Sequence, residues 1–203
     1  MLETLRPDPT FYPSPRIASD APAERLAYAV LLSLDRSKPD ALAVIDVDGS
    51  SVNYGKAVYR LDMPYRGDEF HHFGWNACSS ALSPFSSHPF VQRRYLIVPG
   101  MRSSRLYVVD TKPDPTRPKI VKIIEPEEVA HKTGYSRPHT VHCGPEGIYV
   151  STLGGQAQTG REARPAFSSW TASRSTFSGA GRSTVARSAC TTISGGTCRA
   201  TTW

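Results

Sequence analysis

Apolar residues in this chain recur in short runs closed by turn residues, a pattern that belongs to strands rather than helices. Ala41–Val47 (ALAVIDV) is apolar and ends at Asp48-Gly49. Ala57–Met63 (AVYRLDM) alternates apolar with polar. Arg94–Val98 ends at Pro99-Gly100, Arg105–Val109 at Asp110, and Lys119–Ile124 at Glu125-Pro126. Gly147–Ser151 runs toward Gly154-Gly155, which reads as a turn. Only Pro126–Lys132 (PEEVAHK) has the look of a helical turn. Many short strands at close spacing predict an all-β sandwich, barrel or propeller. ALAVIDVD and SRLYVVDTKPD share a strand-then-Asp pattern, a faint sign of a blade-like repeat.

The pattern stops near Glu162. Residues 163–203 contain no Asp, Glu, Lys or Leu, and 16 of these 41 are Ser or Thr. Such a segment buries too little apolar surface to offset the entropy of ordering it, so it is expected to be disordered. The chain then divides into an irregular Pro-rich segment (1–25), a β-rich body (26–162) and this tail (163–203).

Charge adds little. The net charge is +6, but the tail holds five arginines and no acid, which leaves 19 basic against 18 acidic residues before it. That balance argues against a nucleic-acid or membrane partner. No apolar run approaches the ~20 residues of a membrane span, and the N-terminus lacks a basic start followed by an apolar stretch, so a cytoplasmic location is expected. Two of the four cysteines, Cys190 and Cys198, lie in the tail. Cys78 and Cys143 are expected as reduced thiols.

Two segments could carry chemistry. HHFGWNACSS (71–80) contains His71, His72 and Cys78, and RPHTVHC (137–143) contains His139, His142 and Cys143. Four imidazoles and two thiols in two short loops suit a borderline or soft metal such as copper or zinc. Neither spacing is a strong zinc signature, and buried polar side chains and loop caps are the plain alternative. On a strand, adjacent histidines point to opposite faces, so only one of His71 and His72 would easily enter a shared pocket. Cys143 follows His142, whose ring could lower a thiol pKa, although an inert buried cysteine is the commoner case. No phosphate loop, nucleophile-elbow serine or diagnostic carboxylate pair is present.

HHFGWNACSS, PGMRSSRLYVVD (99–110), IEPEEV (124–129), RPHTVHC and STLGG (151–155) together resemble the selenium-binding protein family. The opening FYPSPRIASDAPAERLAYA is similar to its bacterial members, and the resemblance covers about residues 11–162. It implies a β-propeller, of which this chain would hold only the N-terminal blades, since family members are roughly twice this length or more. Some members are methanethiol oxidases, which convert methanethiol, oxygen and water to formaldehyde, hydrogen sulfide and hydrogen peroxide, with copper implicated. The resemblance implies His71, His72, His139 and His142 as copper ligands and Cys78 and Cys143 as thiol or selenium positions. The partner it implies is a small thiol or selenium compound. Further family histidines fall outside the matching stretch, so the fragment is expected to be inactive. A non-enzymatic selenium or thiol carrier using a cysteine is the alternative.

The resemblance also gives the tail a specific reading. After STLGG the family continues with a Gly-Pro-Pro-Gly turn and later an Asp-Phe-Trp-Trp phrase. One guanine inserted after the Glu162 codon would turn residues 163–166 into Gly-Pro-Pro-Gly and 192–197 into Tyr-Asp-Phe-Trp-Trp-His. The tail is therefore expected to be the family's own continuation read out of frame, with a genuine Ser/Thr-rich disordered tail as the competing reading.

Overall fold

The computed structural model describes residues 6–86 and 88–155, together with the backbone of 169–172 and 187–188. Three antiparallel sheets follow one another along the chain. The first joins β1 (Leu26–Leu31), β2 (Pro39–Asp46) and β3 (Ala57–Arg66). The second joins β4 (Gly74–Trp75), β5 (Tyr95–Pro99), β6 (Leu106–Asp110) and β7 (Lys119–Ile124). The third joins β8 (Tyr135–Cys143), β9 (Ile148–Gly155), β10 (Ser169–Ala172) and β11 (Arg187–Ser188). Within each sheet, hydrogen-bonded neighbours are also neighbours in sequence. The expected all-β class is therefore observed.

Helix is limited to α1 (Pro15–Ser19) and α2 (Pro126–Thr133), with a 3-10 turn at Ser79–Leu82. Proline stands at the start of both helices, where its missing N–H costs nothing. Gly134 closes α2 at φ 72°, a left-handed cap that a side chain would resist. No helix among the described residues is long and apolar enough to cross a membrane.

The middle sheet is buried on both faces, which is why β6 reads as an unbroken apolar run. Its side chains alternate. Leu106 and Val108 pack with Ile97, Val141, Ile148 and Val150 toward the third sheet. Tyr107 and Val109 pack with Leu96, Val98, Leu42 and Met63 toward the first. One strand therefore feeds two cores, and the three sheets are held as a stack. Pro64 and Pro138 lie within β3 and β8, both edge strands of their sheets, while Pro39 and Pro99 stand at the ends of the interior strands β2 and β5, places where a missing donor is tolerated.

The structure departs from the sequence expectation in three places. RPHTVHC lies within a strand, β8, and is no loop. Gly154 and Gly155 end β9 and are paired with Ser136 and Tyr135, so they form no turn. The N-terminal segment holds the short helix α1, with Ser14 capping it through a bond from the Ile17 amide. In 163–203, the backbone of 170–172 pairs with β9 and that of 187–188 with β10. The rest of 163–203 lies outside the described residues.

Candidate metal centre

The segment between β3 and β4 is shaped by turns and straps. Gly67 adopts φ 72° and Glu69 φ 60°, so the chain reverses out of β3 through the left-handed region. Asp40, buried in β2, accepts the Glu69 amide at 2.7 Å and the Ser33 amide at 2.7 Å. The Met101 amide donates to the Glu69 carbonyl at 3.1 Å, and the Arg102 amide to the Asp68 carbonyl at 3.0 Å. Phe70 is fully buried, edge-on to Tyr107 with ring centroids 5.6 Å apart. These contacts leave His71 and His72 at the surface beside the second and third sheets.

His71 and His72 do not lie on a regular strand. Phe70 makes an isolated antiparallel bridge to Gly100, and His72 an isolated parallel bridge to Thr140 of β8. The strict alternation expected of a strand is absent, and both rings reach the same place. On β8, the register shifts between Pro138 and Val141, a bulge that contains His139. The ring centroids of His72 and His139 are 4.8 Å apart, and those of His71 and His139 5.1 Å. One ring nitrogen from each of His71, His72 and His139 lies within 4.8 Å of the others.

Burial first, and then the neighbouring His72 and His71 rings, push the His139 pKa below its usual 6.5. A neutral imidazole near pH 7 is the form that binds a metal. His139 Nδ1 lies 2.9 Å from Thr140 Oγ1. His71 Nε2 lies 3.2 Å from Glu69 Oε1. The other Glu69 oxygen meets the Arg102 guanidinium. The bonds from Arg102 and then from His71 hold the Glu69 carboxyl below its ordinary value.

The donor set suits copper or zinc by type. Ligands that share one ion at about 2 Å sit about 3.3 Å apart, so these nitrogens, within 4.8 Å of one another, would have to draw closer to hold one. Three histidines leave further coordination positions for a ligand. An open cleft of about 260 Å³ leads to His71, lined by Glu69, Arg102, Arg36, Asp40 and Leu32 among others.

The fourth histidine is elsewhere. His142 is exposed, pairs with Tyr149 across β8 and β9, and does not join the group. Its neighbour Val141 points into the core, so the alternation of β8 sends His142 to the opposite face. Cys78 and Cys143, expected as reduced thiols, are joined in a disulfide. They are 65 residues apart in sequence, but their Cα atoms are 6.0 Å apart, which is ordinary bridge geometry. Glu69 and Arg102 were missed in the sequence. The only hint was the run GDEFHH (67–72), with an acid two residues before the first histidine.

A profile of the family described as 56 kDa selenium-binding protein matches residues 5–182. The chain belongs to the selenium-binding protein family. It is 47% identical to selenium-binding protein 2 of Arabidopsis thaliana over 146 residues, 70% of this chain and 29% of that protein. It is 40% identical to a methanethiol oxidase of Danio rerio over 153 residues, 74% of this chain and 33% of that protein. A solved structure titled as a hypothetical selenium-binding protein from Sulfolobus tokodaii is similar at TM-score 0.74 and 52% identity. That match covers 81% of this chain and 36% of the other. The chain thus spans about three-tenths of the length of the curated relatives it matches. The profile match runs past Glu162, where the sequence changes character.

Proposed function

We propose that this chain supplies His71, His72 and His139 to a copper site of the methanethiol oxidase kind. The observation that carries the reading is the convergence of three imidazoles from two separate parts of the chain, beside a cleft that admits a small molecule. Bound copper would supply the electron-transfer capacity for oxidising a thiol with oxygen. The chain's own residues do the rest. His139 is kept neutral and ready to ligate, Glu69 holds the His71 ring, and the cleft beside His71 admits a small thiol.

The three sheets are read as successive blades of a β-propeller. Each is an antiparallel meander in chain order, and each packs its face on the next. A ring needs more blades than three sheets supply, so the complete oxidase reaction is proposed for a full-length relative. This chain alone is expected to release no hydrogen sulfide from methanethiol. The out-of-frame reading of 163–203 rests on the family phrases that one inserted guanine restores, whereas the profile match to residue 182 and the pairing of 170–172 with β9 weigh for the tail as written. Resequencing the DNA across the Glu162–Ala163 codons decides between them.

The test of the metal site is a copper titration of the purified chain against a competing chelator. One copper should bind, and His71→Ala, His72→Ala and His139→Ala should each weaken it at least about tenfold, with His142→Ala unchanged. Equal affinity in all five proteins would reject the site. The alternative, a selenium or thiol carrier using Cys78 or Cys143, requires a free thiol, and the bonded pair offers none until it is reduced.

A further inference from the structure

We propose that Glu69 is a positioning residue that selects which nitrogen of His71 faces the histidine cluster. The inference rests on the metal reading of that cluster. Glu69 Oε1 is 3.2 Å from His71 Nε2. A carboxylate accepts, so Nε2 carries the proton and Nδ1 is left with the lone pair. His139 Nδ1 lies 2.9 Å from Thr140 Oγ1, a hydroxyl that can donate or accept, so no carboxylate selects the nitrogen of that ring.

The carboxylate is well anchored for this task. Arg102 holds its outer oxygen. The Glu69 amide is fixed by Asp40 at 2.7 Å, and its carbonyl by the Met101 amide at 3.1 Å. Asp40 is itself buried and tied to the Ser33 amide. The Glu69 backbone sits at φ 60°, a conformation that costs a non-glycine residue energy and that tends to mark functional positions. Its ion pair with Arg102 is partly exposed, with side-chain accessibilities of 25% and 47%. Such pairs add little stability. The ion pair with Arg102 thus gives the Glu69 side chain little stabilising work of its own, whereas its contact with His71 gives it a positioning one.

The test is a double-mutant cycle read as copper(II) affinity of the full chain, by competition with a chromophoric chelator. Circular dichroism checks that each variant is folded. Glu69→Ala should weaken copper about tenfold or more, the usual cost of losing a partner that orients a ligand. Glu69→Gln keeps an acceptor oxygen and should lose less. In a His71→Ala background, Glu69→Ala should cost nothing further, because Glu69 acts through His71. If Glu69→Ala does not fold, Glu69→Gln with and without His71→Ala makes the same comparison. The proposal is overturned if changing Glu69 leaves affinity intact while His71→Ala lowers it, in which case the metal site itself stands. It is also overturned if Glu69→Ala costs the same with and without His71, which would mean a merely structural role. If the wild type and His71→Ala bind copper equally, the metal reading fails and takes this inference with it.

Discussion

Tyr107 Oη donates to Asp68 Oδ2 at 2.7 Å, and neither residue has measurable exposure to solvent. Burial, then this bond to a carboxylate, pushes the tyrosine pKa well above 10, so the hydroxyl stays a donor across the physiological range. The other Asp68 oxygen has no hydrogen-bond partner, and the Arg105 guanidinium is 3.7 Å from it. The pair links the middle sheet to the segment that carries His71 and His72.

Replacing Tyr107 by Phe would leave Asp68 buried with neither oxygen hydrogen-bonded. The expected cost is about 1–3 kcal/mol, the desolvation penalty of the orphaned group. Urea unfolding checks it: a midpoint unchanged from wild type would show that Asp68 finds another partner.

Gly74 has no room for a methyl. A Cβ there would lie 2.8 Å from the Val141 carbonyl oxygen and 3.1 Å from the Val141 Cβ. Gly74→Ala must push β4 away from β8, at a cost of about 1–3 kcal/mol for overpacking. Because the same approach brings His72 to His139, copper affinity should fall along with thermal stability. Gly55, with nothing near its side-chain position, is the steric control, although its φ of 75° adds backbone strain of its own to any Gly55→Ala variant.

Asp110 gives an acid-range prediction. Arg94 grips both its oxygens, at 2.9 and 2.6 Å, and that bond lowers the carboxyl below its ordinary 3.8. A carboxyl lowered in the folded state binds its proton less readily there than in the unfolded chain. The stability it contributes is complete above pH 3.8 and is lost as pH falls through the folded value. In melting curves between pH 6 and pH 3, Asp110→Asn should be the less stable protein at pH 6, and the gap should close toward pH 3. A gap that stays constant with pH would exclude the ion pair as its source.

The Cys78–Cys143 bridge closes a long stretch of chain, 65 residues in sequence. On loop-closure entropy it contributes about 4 kcal/mol. Dithiothreitol or Cys78→Ser should lower the melting temperature by several degrees. Selenite should be retained by the chain only after reduction, if a cysteine is the acceptor. Retention by the unreduced chain would place selenium elsewhere.

Much of this was legible in residue order. All six runs picked out by apolar pattern became strands, β2, β3, β5, β6, β7 and β9, within a few residues, and PEEVAHK became α2. Strands β1 and β4 were not foreseen, since LAYAVL has no closing turn signal and GW is two residues long. RPHTVHC lies in a strand and not in a loop because an edge position with a bulge tolerates Pro138 and the polar histidines. The family phrases named the histidines and cysteines to watch.

Sequence by itself determined the all-β class, the family and the short list of ligating residues, because strand periodicity and residue chemistry are local properties. The tertiary structure decided which of those residues meet. His72 reaches His139 only through a parallel bridge to Thr140, across 68 residues of chain, while His142, three residues from His139, is turned away by strand alternation. Cys78 finds Cys143 for the same reason: packing two sheets on a third fixes distances that no spacing in the sequence encodes.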